Sequence, residues 1–279
     1  MSIHLTAAQI QQFDSDVKHA YQGSGKLRPT VRVKTGVVGN QHKFPTMGKG
    51  MATARVPQTD VVPMNISHAR VAATLADWNA PEYTDIFDQQ KVNYEEKQQL
   101  ATVIASAIGR REDQMLIDIM DAAGATQIAT TVGGAGTNLN TAKFRACKKE
   151  MDKDGVPQSD RHIAIHANNL YGLLGDADAS TFDKNAIKAL VDGEIQKWLG
   201  FNIIVIEDRD EGGLAIPSTR TTLAYHGGAM GGVGLAVGID FRTEINYIAE
   251  KTSWLCNGLF SAGAASIDVN GIVEVLCTE

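Results

Sequence analysis

Apolar and polar positions alternate with a helical period over one unusually long stretch, "NYEEKQQLATVIASAIGRREDQMLIDIMDAAG". Leu100, Val103, Ile104, Ala107, Ile108, Met115, Ile119 and Met120 recur there at i, i+3, i+4 spacing. Asn93 with Glu96 three residues on has the form of a capping box, and Gly124 supplies a stop, so the pattern predicts a helix over about 93–123. Some thirty residues at 1.5 Å each make a rod of roughly 45 Å, where the mean helix has about a dozen residues. A second stripe, Ile10, Phe13, Val17 and Tyr21 in "TAAQIQQFDSDVKHAY", predicts a short amphipathic helix with Thr6 as its cap. Gly23, Gly25 and Pro29 end it, which makes it a tethered arm whose one apolar stripe needs a partner surface.

Strand patterns fill much of the rest. "TVRVKTGVV" alternates as a half-buried strand does, and "ISHARVAATLADWNAPEYTDIF" reads as strand broken at Pro81. "ATQIATTVGGAGTNLN" is a small-residue loop or edge hairpin. A helix is expected from Thr141 to Asp152 with Phe144, Cys147 and Met151 on one face. "DRHIAIHANNLYGLLGD" predicts a buried strand from Ile163 to His166 and a short helix capped by Asn168. A Gly200 turn then leads to a buried strand from Phe201 to Ile206. "DRDEGGLAIPSTR" reads as an exposed acidic loop. "TEINYIAEK" alternates, and "WLCNGLFSAGAASIDVNGIVEVL" is expected to form a hairpin on Asn270-Gly271.

One segment fits neither period. From Gly36 to Asn65 the prolines Pro45, Pro57 and Pro63, several glycines, and Met47, Met51 and Met64 leave only short extended pieces. It has too few apolar residues for a core of its own and too many β-formers to read as disordered. Long loops of this sort usually reach out to something.

Composition narrows the class. With 279 residues, 43% hydrophobic and 21% charged, the chain reads as an ordinary globular protein of one large domain or two lobes. A net charge of −6 gives it no general attraction for nucleic acid. No apolar run approaches the length that spans a bilayer, and the N-terminus lacks the pattern of a signal peptide. Cys147, Cys256 and Cys277 lie far apart, as buried reduced thiols would.

Candidate chemistry is sparse. The stretch "YHGGAMGGVGLAVG" invites a test as a phosphate cradle. No Lys-Ser or Lys-Thr follows its last glycine, and Gly232, Gly234 and Gly238 miss the dinucleotide spacing. Close packing of small residues against neighbouring backbone is the better reading. His162 and His166 fall on a strand with no third metal ligand in reach, and the cluster Glu207, Asp208, Asp210, Glu211 is interrupted by Arg209, so a solvated loop is expected. Lys26, Arg28, Arg32 and Lys34 cluster in the arm, where a solvated face is the default. No nucleophile, metal or cofactor motif is found, and the chain is read as a non-enzyme without cofactors.

In order, these elements resemble the major capsid proteins of tailed bacteriophages, which share the Hong Kong 97 fold. "LVDGEIQKWLGFNIIVIEDRD" is similar to a recurrent segment of that family, and "AYHGGAMGGVGLAVGIDFRTEINYIAEKTSWLCNGLFSAGAASIDVNGIVEV" to its closing segment. The long helix is similar to its spine helix, and the Gly36–Asn65 stretch lies where its extended loop belongs.

The resemblance implies an α+β fold with an N-terminal arm (1–35) and an extended β-hairpin loop with flanking strands (36–80). A peripheral domain carrying the spine helix (81–159), an axial domain (160–238) and C-terminal strands returning to the peripheral domain (239–279) complete it. No fused scaffolding domain is expected, and Lys49 is assigned no cross-link. It implies a structural protein that assembles as hexamers and pentamers into an icosahedral virion head around double-stranded DNA. Scaffolding, portal and decoration proteins would be its partners, the host cytoplasm its place of assembly, and no membrane is involved. Ile10, Phe13, Val17, Lys43, Lys49, Met51, Arg55, Asp208, Arg209 and Asp210 are the expected subunit contacts. An encapsulin-like compartment shell is the alternative within the fold, and a nucleotide-binding enzyme using Gly227–Gly238 the alternative outside it.

Overall fold

The computed structural model describes residues 23–89, 96–176, 197–214 and 219–278. In chain order, β1 (Arg32–Lys34), β2 (Gln41–Met47), β3 (His68–Thr74) and β4 (Ala76–Asp85) precede the short α1 (Ile86–Gln89) and the long α2 (Glu96–Asp121). β5 (Thr126–Ile128), α3 (Thr141–Lys153), β6 (Arg161–His166) and α4 (Ala167–Leu174) follow. The chain closes with β7 (Lys197–Trp198), β8 (Phe201–Ile206), β9 (Arg220–His226), β10 (Val233–Ile248), β11 (Ser253–Ser266) and β12 (Ile272–Cys277).

The strands make a four-stranded sheet ordered β1-β10-β11-β4, a six-stranded sheet ordered β5-β12-β9-β6-β8-β7, and the two-stranded hairpin β2-β3. α2 is the rod expected. Its 26 residues span about 39 Å, and Gly124 beyond its end takes φ +66°. The proposed cap Asn93 lies outside the described residues. The apolar stripe of α2 crosses both sheets. Ile108, Leu116, Ile117 and Met120 are buried with Phe260 and Ala262 of β11, Leu235 and Val237 of β10, and Leu223 and Tyr225 of β9. A second core lies under α3, where Phe144, Cys147 and Met151 meet Ile163, Phe201, Val273 and Val275. Burying one such Phe stabilises the fold by roughly 1.5–3 kcal/mol. All three cysteines are free and buried, and burial pushes the Cys147 thiol up to about 12.

Several local expectations are corrected. β4 runs straight through Pro81, which pairs with Asn257. It can, because β4 is an edge strand and a missing N–H on the outer side costs no ladder bond. Asn270-Gly271 is not a hairpin turn, since β11 and β12 lie in different sheets. The Asp268 side chain accepts the Asn270 N–H and holds a tight turn that carries the chain across. His166, rather than Asn168, caps α4, its Nδ1 accepting the Asn168 N–H at 3.2 Å. β12 pairs with β9 and β5 instead of following β11, and α3 packs on that same six-stranded sheet.

The glycine stretch does pack. Its N–H groups at Gly227, Gly228, Gly231 and Gly232 are donated to Asp160, Thr30, Gly228 and His226 carbonyls. A Cβ on Gly227 would lie 2.0 Å from the Thr30 oxygen, and one on Gly234 would lie 2.8 Å from the Phe44 ring. These four donors are therefore already used within the chain and do not form a phosphate cradle.

Candidate assembly site

Two regions stand out once the packing is subtracted. The first is a buried ionic node at the middle of α2. The run Arg110-Arg111-Glu112-Asp113 sends each side chain to a different part of the chain. Asp113, fully buried, accepts the N–H groups of Lys26 and Leu27, each at 2.9 Å, and the Arg209 guanidinium at 3.2 Å. Arg209 also holds Glu207 at 3.1 Å, and Glu207 holds Lys26 Nζ at 2.8 Å. Arg110 donates to the Gly23 carbonyl. Arg111 lies 3.7 Å over the Trp78 ring and pairs with Glu211. Arg28 forks onto Asp240, with both nitrogens at 2.9 Å, and approaches Glu112 at 3.5 Å. Burial pushes the Asp113 carboxyl up, opposed by its backbone and Arg209 bonds. Burial likewise raises Glu112 to about 7.

The segment from Gly23 onward is thereby locked to the body, where the sequence suggested a swinging tether with solvated cations. Gly25 crosses α2 at Gly109, and a Cβ on Gly109 would come within 2.7 Å of the Gly25 nitrogen. Leu27 is completely buried. The acidic loop is corrected too. Arg209 does not interrupt a solvated cluster; its side chain is 4% exposed and anchors the loop to α2. Asp208 is exposed yet sits 3.0 Å from His166 Nε2 and 3.4 Å from Arg220. Asp210 is exposed.

The second region is the hairpin. β2 and β3 pair from Gln41–Thr74 to Met47–His68. Its inner face is anchored by Phe44, buried with Ala73, Ala236 and Ala265. Its outer face presents Lys43, Met47, His68 and Arg70, all exposed. Between the strands, residues 48–67 leave the body with Met51 at 81% and Val61 at 93% exposure, and Arg55 exposed beside them. Lys49 touches the Asp154 carbonyl at 3.4 Å. Of the expected contacts, Lys43, Lys49, Met51 and Arg55 therefore share one projecting element, while Asp208, Arg209 and Asp210 share the loop after β8 that Arg209 anchors to α2. Ile10, Phe13 and Val17 lie outside the described residues.

Sequence reasoning missed His68 and Arg70, which lie exposed on the same outer face of the hairpin as Lys43 and Met47. It also missed Glu112 and Asp113, whose mark is a pair of carboxylates inside an otherwise apolar stripe.

A family model described as phage capsid protein matches residues 5–279. The chain belongs to that family. No curated protein matches it. Its fold is similar to the capsid protein of the cyanophage P-SCSP1u, at TM-score 0.77 and 17% identity over 99% of this chain and 94% of that one. It is similar also to the head protein of Helicobacter pylori bacteriophage KHP40, at TM-score 0.76 and 8% identity over 99% and 98%. The capsid protein of an empty GTA particle gives TM-score 0.70 and 14% identity over 100% and 98%. The chain is thus a phage major capsid protein of the Hong Kong 97 fold, a structural component of the virion that assembles with itself into a shell. An encapsulin-like compartment is not favoured. Among the described residues no group of three or more metal-binding side chains occurs, and no helix is long and apolar enough to cross a membrane.

Proposed function

We propose that the subunits form hexamers and pentamers of an icosahedral head that encloses double-stranded DNA, and that the chain carries out no catalysis of its own. The hairpin supports this reading best. It projects an apolar, cationic ribbon that its own subunit leaves bare, while Phe44 at its root holds it in place. Exposed apolar surface of this kind is stabilised only when a partner covers it. The six-stranded sheet with α3 and α4 would form the axial part, and the four-stranded sheet with α2 the peripheral part. A scaffolding protein, a portal and decoration proteins would complete assembly in the host cytoplasm, with DNA held by non-specific contact.

Replacing Met47–Met64 by a tight turn tests the reading. The shortened chain should keep the circular dichroism and melting of a folded subunit, since these residues are outside the three cores, yet yield no closed particles on sedimentation. Normal particles from it would refute the hairpin's role.

A further inference from the structure

The ionic node holds one buried carboxyl that its neighbours do not fully answer. Glu112 lies on the core-facing stripe of α2, beside the turn Arg28–Thr30. Its Oε1 is 3.5 Å from Arg28 Nε and has no hydrogen-bond partner among the described residues. Arg28 is already committed, since its two terminal nitrogens fork onto Asp240 of β10 at 2.9 Å each. Three charged groups act on the Glu112 carboxyl: Arg28 from the arm, Asp113 from α2 itself and Asp240 from β10. Two of these are anions, so a charge on Glu112 is opposed by them as well as by burial. The other cations of the node, Lys26 and Arg209, are bound to Glu207 and Asp113.

An ionised Glu112 therefore needs water, and the cheapest route for it runs through the arm. Arg28 touches both the buried Glu112 and the exposed Asp240, and so spans from the interior to the surface. Moving α2 instead would open the main core, where Ile108 and Leu116, one turn to either side of Glu112, are buried with Leu235 and Phe260. Lifting the short segment from Lys26 to Val31 breaks much less. It gives up the burial of Leu27 and Val31, the Arg28 ion pairs, and the Lys26 and Leu27 bonds to Asp113. Openings of this size are the ones that folded chains sample without unfolding.

We propose that Glu112 is a proton-operated latch on the arm: with its proton in place the segment from Lys26 to Val31 stays seated on α2, and on ionisation the segment lifts at the Arg28 turn and lets water in. The latch lies within one subunit and stands apart from the assembly reading above. Its sign follows from the seated state. There Glu112 is raised from 4.5 to about 7, chiefly by burial, so the seated form holds the proton more tightly than the lifted, hydrated one. Seating is strongest below pH 4.5, weakens as pH rises to about 7, and changes no further above that.

Amide hydrogen exchange on the full-length subunit tests it. The Lys26 and Leu27 N–H groups are bonded to Asp113, and the Gly228 N–H to the Thr30 carbonyl, only while the segment is seated. Each pH is measured beside Glu112→Gln, which keeps the shape and cannot ionise, so the chemical pH dependence of exchange and any titration of Asp113 cancel. The rate in wild type relative to the variant should rise by up to about tenfold per pH unit between about pH 5 and 7, then level off. The rise should be unchanged in about 1 M urea, because a local opening exposes little surface. A constant ratio would overturn the latch. A ratio that falls with pH would do so too, since the ionised carboxylate would then be gripping Arg28. Exchange that urea speeds in step with the core amides of Ile163 and Val275 would mean that the segment leaves only by global unfolding, which also overturns it. If circular dichroism shows that Gln is not accommodated, Glu112→Met supplies the same uncharged reference.

Discussion

The ionic node on α2 and the β2–β3 hairpin both carry charged side chains and use them in opposite ways. In the node the charges are paired within the subunit. Asp113 collects two backbone donors and a guanidinium, and Arg209, Glu207 and Lys26 close the network. On the hairpin, Lys43, Arg55 and Arg70 project beside bare methionines and valines. The contrast teaches where the subunit ends and the assembly begins. Charges that are buried must be paired inside the chain, because an uncompensated one costs several kcal/mol. Charges left in water can wait for a neighbour at almost no cost to the monomer.

Breaking the node should have the largest effect. Asp113→Ala strands the Arg209 side chain and two backbone N–H groups in a buried site. It should destabilise the subunit by about 3–5 kcal/mol in urea unfolding. A loss below about 1 kcal/mol would mean that water already satisfies these groups and that the node is less dry than its burial implies.

The next test uses pH. Glu112 is raised from 4.5 to about 7 in the folded chain, chiefly by burial. Over that window the folded subunit keeps a proton that the unfolded chain gives up. The contribution is therefore fully present below pH 4.5 and is lost as pH rises to about 7. The slope can reach about 1.4 kcal/mol per pH unit. Glu112→Gln should flatten it in urea titrations between these limits. An unchanged slope would assign the titration to another group.

The smallest effect is expected at the hairpin tip. Met51→Ala should change subunit stability by less than about 0.5 kcal/mol, because the side chain is 81% exposed. A larger loss on thermal melting would show that the loop packs on its own subunit and would erase the contrast.

The legible parts of this protein were those governed by local periodicity. The stripe of α2, the Phe144, Cys147 and Met151 face of α3, the Gly200 turn and the β8 strand were readable because a burial pattern of 3.6 or 2 residues is written in consecutive positions. The lack of a core in residues 48–67 was readable for the same reason, by absence of pattern. Partner choice was not. Asn270-Gly271 has the composition of a hairpin turn, yet the strands it joins go to different sheets, because β9 and β10 had already opened an edge in each. Pro81 looked like a strand break because the sequence does not say that β4 lies at an edge. Arg209 looked like a solvated charge because its partner Asp113 is 96 residues away. The sequence by itself determined α2, α3, the presence of α4, most strands, the exposed loop and, by their order, the family. Tertiary structure alone decided which strands share a sheet and which charges are buried. Those outcomes depend on side chains distant in the chain meeting in one place, and a one-dimensional pattern carries no distance between them.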